Sequence, residues 1–194
     1  MNFNYMTQKT AVYLLFLFYA FSHAQNTSVI SVKTDNYTVQ FLIIFNDKKE
    51  ILMMRNQLGW HIPAMRSDKP QAIREAIDSL AATIGLKIRH IKLSGLYTHK
   101  FQGVKDHPEV SYRSYFTADY VNGSIVQPED KNIEYSWISI KEAPAVFHFD
   151  FMKKQTIPIL KNRKKVWGGT FLIVWEDEKL KGSEITENIY ELGG

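Results

Sequence analysis

Glu75, Ser79 and Thr83 follow one another at four-residue intervals, a spacing that lays three side chains along one stripe of a helix. A stripe of carboxylates at such positions would gather around a magnesium or manganese ion, which takes oxygen ligands in near-octahedral geometry. A metal held that way neutralises phosphate oxygens and helps generate hydroxide from water. This stripe offers one carboxylate and two hydroxyls, and the neighbouring position 82 is alanine. Neutral hydroxyls do not hold magnesium unaided. The spacing suits metal chemistry, and the residue types do not.

The surrounding segment reads GWHIPAMRSDKPQAIREAIDSLAATIGL over residues 59–86. It resembles the Nudix box, W-x-U-P-G-G leading into G-x5-E-x7-R-E-U-x-E-E-x-G-U, with U bulky and apolar. Trp60, Ile62, Pro63, Leu80, Gly85 and Leu86 carry the frame. The resemblance implies an α/β/α sandwich with a mixed sheet. It also implies hydrolysis of a nucleoside diphosphate linked to another group, with magnesium or manganese as cofactor. Counting back from Gly85, Asp78 stands where the family has Arg and Ser79 where it has the first helical Glu. Ala82 and Thr83 stand in place of the paired Glu residues. The family's Gly-Gly becomes Ala64-Met65, which loses freedom of φ near phosphate, and its early Glu falls at about Pro70, with Asp68 the nearest acid. The box is degenerate, and no catalytic role is supported at Asp78, Ser79, Ala82 or Thr83.

Glu75 has two readings. One is a solvated helix charge beside Arg74 and Asp78; the other is a displaced metal ligand, joined by Asp68 or Glu109 in an active enzyme. Sliding the register to match Arg74-Glu75 with the family's Arg-Glu pair would break the closing Gly85-Leu86, so that alignment is rejected.

These residues need elements to carry them. Residues 37–45, YTVQFLIIF, are rich in β-branched and aromatic side chains and predict a buried strand, which residues 50–55 return after a polar turn. Pro70 suits the first turn of a helix. Ile73, Ile77, Leu80 and Ile84 with Ala76 and Ala81 form its core stripe, and Gly85 stops it. Residues 88–101 and 111–121 predict two further strands. Residues 133–144 resemble a late Nudix element, E-x-x-W-U-x-U-x-E-U, through Glu134, Trp137, Ile138 and Glu142. A helix is expected over residues 149–165, and a β-hairpin from residues 170–176 and 183–192. The domain plan is a Nudix-like domain over residues 37–162 and a C-terminal hairpin extension over residues 163–194.

The first 36 residues stand apart. Lys9, an apolar run over residues 11–21 and Ser22-His23-Ala24 form a secretory leader with a cut before Gln25. The apolar run is short for a membrane span. Residues 25–36 are a lead-in, and the expected location is secreted or periplasmic, with no transmembrane span in the mature chain. The formal charge of +4 falls by one with Lys9. So mild a balance gives no specific nucleic-acid signal. With no cysteine in the chain, disulfides and thiolate metal sites are excluded.

Other candidates are weaker. His90, His99, His107 and His148 match no compact zinc spacing. Trp60, Tyr97, Phe101, Tyr112 and Trp137 would suit either the core or a wall for a flat ligand; Trp60, in the loop before the box, is the residue assigned a ligand role. Lys153, Lys154, Lys161, Arg163, Lys164 and Lys165 read as a solvated helix face, with an anion-binding surface as the alternative. The expectation is a pseudoenzyme that binds a phosphate-containing or other small ligand, or a protein partner, without cofactor. The alternative is an active hydrolase with relocated carboxylates, Glu75 among them, holding magnesium or manganese.

Overall fold

Strand β1 (Val39–Phe45) is buried on both faces. Phe41, Ile43 and Phe45 enter one core cluster and Leu42 and Ile44 the other, as the two-residue side-chain period of a strand requires. A continuous apolar run is therefore what a central strand between two helical layers needs. In the computed structural model, residues 38–66, 70–104 and 110–193 are described. The leader and lead-in expected over residues 1–36 lie outside the described residues, as do Asp68, His107 and Glu109.

The remaining strands are β2 (Glu50–Asn56), β3 (Gly59–His61), β4 (Ala64–Arg66), β5 (Leu86–Gln102), β6 (Val110–Gly123), β7 (Glu134–Ser139), β8 (Val166–Glu176) and β9 (Lys179–Gly193). Among the described residues they form one sheet in the order β3-β2-β1-β6-β5-β8-β9, with β4 also paired to β1 and β7 to β2. The pairs β1–β6 and β5–β8 are parallel and the others antiparallel, so the sheet is mixed. The C-terminal hairpin β8–β9 extends that sheet through β5.

Helix α1 (Ile73–Thr83) packs Ile77 and Ala81 against Leu42, Ile44, Leu52 and Ala118. Helix α3 (Asp150–Lys161), preceded by the single turn α2 (Ala143–Val146), packs Met152 and Ile159 with Phe41, Tyr97, Tyr115 and Phe171 on the other face. The three layers are the expected α/β/α sandwich. No helix among the described residues is long and apolar enough to cross a membrane.

Several local expectations shift. Helix α1 begins at Ile73 rather than Pro70, because Ala72 is extended at φ −67° and ψ 148°. Ile73 is then 58% exposed and leaves the core stripe: helical side chains lean toward the N-terminus, so a first-residue side chain overhangs the helix start. Helix α3 stops at Lys161, since Asn162 is extended, and Arg163 instead donates to Asp119 on β6 at 2.6 Å. The strand expected from residue 88 begins at Leu86 and bulges between Arg89 and Lys92. His90 sits at that bulge with φ +56°, a conformation histidine tolerates better than most residues, and its Nδ1 lies 2.9 Å from Asp119.

Candidate functional site

The outward stripe of α1 is occupied by local bonds. Glu75 accepts from the backbone N–H of Ala72 at 3.4 Å, a long contact that serves the helix N-terminus. Asp78 faces Arg74 one turn earlier at 3.7 Å, and the Thr83 hydroxyl donates to the Ser79 carbonyl at 3.0 Å. All of these side chains are exposed, as is Ala82. Among the described residues no three of His, Asp and Glu converge as metal ligands. The donor set at positions 79, 82 and 83 does not fit magnesium, which asks for charged oxygens.

The frame of the box has a structural explanation of its own. Gly85 closes α1 with φ +84°, and a Cβ there would stand 2.3 Å from the carbonyl oxygen of Ser124. Only glycine fits that turn. Ile62 and Leu86 are buried. Trp60 is half-buried against the α3-side core, bridges by backbone to Phe147, and has the Arg55 guanidinium 5.3 Å from its ring centroid.

A second constellation lies on the α3 face. Arg66 on β4, Val39 on β1 and Arg113 on β6 are in register across three strands, and residues so paired share a face. Arg113 stands 5.6 Å from the centroid of Phe101 and donates to Ser111 at 2.6 Å. Burial pulls its guanidinium down to about 10, Tyr115 opposes that shift, and the like charge of Arg66 adds to it. It stays charged at neutral pH. Two guanidinium groups thus share one face of the sheet, and guanidinium geometry matches carboxylate or phosphate oxygens.

Beneath it runs a buried polar chain. The Tyr97 hydroxyl donates to the Gln155 carbonyl at 2.9 Å, and the Tyr115 hydroxyl donates to Gln155 Oε1 at 2.8 Å. The Gln155 amide then faces His99 Nε2 at 2.7 Å. An amide nitrogen only donates, so His99 accepts at Nε2 and carries its proton on Nδ1. Burial, then the Arg113 charge, holds the His99 imidazole down to about 3, with the Gln155 bond opposing. His99 is therefore neutral, and packs edge-on to Phe151 at 5.3 Å.

The five aromatic candidates divide between the two faces. Tyr97, Phe101 and Trp60 belong to the α3 side, Trp137 packs against Tyr120 on the α1 side, and Tyr112 is exposed. The histidines also separate: His90 is at the β5 bulge, His99 is buried and His148 touches the Gly59 turn. Of the basic tail, Lys154, Arg163 and Lys165 pair with Asp150, Asp119 and Glu191. Arg66, Arg113 and Gln155 were not singled out by sequence. Arg113 does carry a signal, since it alternates with Ser111 and Tyr115, both of which are buried.

No family model matches the sequence, and no curated protein does. Solved structures match it at the level of fold. The Mutator MutT protein from Bacillus halodurans superposes with a TM-score of 0.60, covering 77% of this chain and 97% of that one at 15% identity. An ADP-ribose pyrophosphatase from Streptococcus suis gives 0.49, covering 66% and 91% at 15% identity. A NUDIX hydrolase from Nitrosomonas europaea gives 0.45, covering 56% and 76% at 18% identity. At such identities the likeness is one of architecture, and it rests on the first superposition: the chain has the Nudix fold.

Proposed function

We propose that this protein is a Nudix-fold binding protein that does not turn over nucleoside diphosphate derivatives, and that it holds an anionic, phosphate-containing ligand on the Arg66–Arg113 face. The observation that carries the first half is the outward stripe of α1, where Ser79, Ala82 and Thr83 supply no carboxylate and Glu75 is engaged at the helix N-terminus. The second half is supported by the two guanidinium groups in register on the opposite face, with Phe101 beside one of them. The leader-like residues 1–24 extend the proposal to an exported protein.

Isothermal titration of magnesium and manganese chloride tests the reading, run beside a variant carrying Ser79→Glu, Ala82→Glu and Thr83→Glu. Metal binding by the variant alone is the expected result. Micromolar to low-millimolar metal binding by the native protein, with hydrolysis of a nucleoside diphosphate derivative, would overturn it in favour of a hydrolase using relocated acids. Inorganic pyrophosphate tests the ligand face: Arg113→Gln should weaken its binding by about ten-fold or more, the scale of a charge-assisted hydrogen bond.

A further inference from the structure

A cavity of about 400 Å³ opens where the C-terminal end of α3 meets the base of the β8–β9 hairpin. None of its lining residues belongs to the box or to the Arg66–Arg113 face. Helix α3 packs on the sheet face opposite α1, so the sheet itself separates this cavity from the Ser79–Thr83 stripe.

Its walls are apolar and its rim is charged. Ile157 and Pro158 come from α3, Trp167 from β8 and Ile189 from β9. The indole is fixed in place: its Nε1 donates to the Asn162 carbonyl at 3.3 Å, and the Lys165 ammonium lies 5.9 Å from its ring centroid. A wall set before binding costs little ordering when a ligand arrives. Lys165 is already neutralised by Glu191. Lys161, exposed in the last turn of α3, has no acidic partner among the described residues. It stands at the negative end of the helix.

The volume lies in the range of small-molecule sites, which are mostly apolar with a few polar groups that fix orientation. One uncompensated cation above four apolar walls suits a single negative charge on an apolar body, and does not suit a polyphosphate. We propose that this cavity binds a small amphipathic carboxylate, its chain or ring between Ile157, Pro158, Trp167 and Ile189 and its carboxylate at Lys161. The proposal stands independently of the metal and of the ligand on the other constellation.

The test uses octanoate as probe, followed by calorimetry and by tryptophan fluorescence. The native protein should bind octanoate saturably, with a change in emission that Trp167→Phe abolishes while the heat of binding persists. Lys161→Gln should weaken octanoate by about five-fold, the upper scale of an exposed ion pair, and leave 1-octanol binding unchanged. Inorganic phosphate should not displace the probe. The proposal is overturned if octanoate does not saturate, if Lys161→Gln binds it as tightly as the native protein, if the emission change survives in Trp167→Phe, or if phosphate competes.

Discussion

The two longer helices of this sandwich, α1 and α3, present opposite kinds of surface to chemistry. Helix α1 turns small or locally bonded side chains outward, and its one acid on the metal stripe serves its own N-terminus. On the other side of the sheet, Gln155 of α3 joins Tyr97, Tyr115 and His99 in one bonded chain, with Arg113 and Arg66 beyond them. Both faces bury an apolar cluster, the larger and more aromatic one on the α3 side, so apolar burial by itself gives neither face its chemistry. The difference lies in which polar groups are buried. Exposed hydroxyls and paired surface charges contribute little, while a buried network in low dielectric contributes a great deal when complete and costs a great deal when broken.

Removing the centre of that network should give the largest effect. Gln155→Met keeps the volume but leaves the Tyr115 hydroxyl and His99 Nε2 without their partner. A loss of about 3 kcal/mol is expected, as for orphaned buried polar groups, and urea unfolding measures it. A loss below about 1 kcal/mol would mean that the two faces are not energetically different.

Acid should separate the faces next. His99 is held down to about 3 against an ordinary value of 6.5. Between those values the unfolded chain binds a proton that the folded chain refuses. Its stabilising contribution is therefore complete above about pH 6.5 and is lost as the pH falls toward 3, with a slope of up to about 1.4 kcal/mol per pH unit. His61, lowered chiefly by burial, acts in the same sense. Unfolding midpoints should drop between pH 7 and pH 4, and His99→Gln should flatten the fall. An unchanged profile in that variant would remove His99 from the account.

On the α1 face, the triple substitution Ser79→Glu, Ala82→Glu and Thr83→Glu should cost about 1 kcal/mol in the absence of metal. Like charges then crowd one stripe near the negative end of the helix. Added magnesium should restore the loss in a thermal melt. If it does not, the helix face lacks metal geometry as well as ligands. The smallest effect belongs to the paired basic tail: Lys154→Ala, which breaks an exposed i,i+4 pair with Asp150, should change stability by less than about 0.5 kcal/mol.

The sequence by itself determined the architecture. Strand β1 was legible because burial on both faces demands an unbroken apolar run, and α1 because Ile77, Leu80, Ala81 and Ile84 repeat at helical spacing. Gly85 was legible because a helix end with φ +84° has few alternatives to glycine. The residue types at positions 78, 79, 82 and 83, on which the proposed loss of metal binding rests, need no coordinates. Boundaries were less legible: α1 starts three residues after Pro70, and the short strands β3 and β4 are too brief to leave a periodic pattern. Only the tertiary structure decided what the α3 face is. Arg66, Val39 and Arg113 are far apart in the chain and meet through register across β4, β1 and β6. Gln155 joins His99 and Tyr115 because a helix lies across two strands. The cavity at Lys161 and Trp167 exists because the hairpin returns against the end of that helix. Local periodicity encodes which way a side chain points, and long-range pairing alone fixes what it points toward.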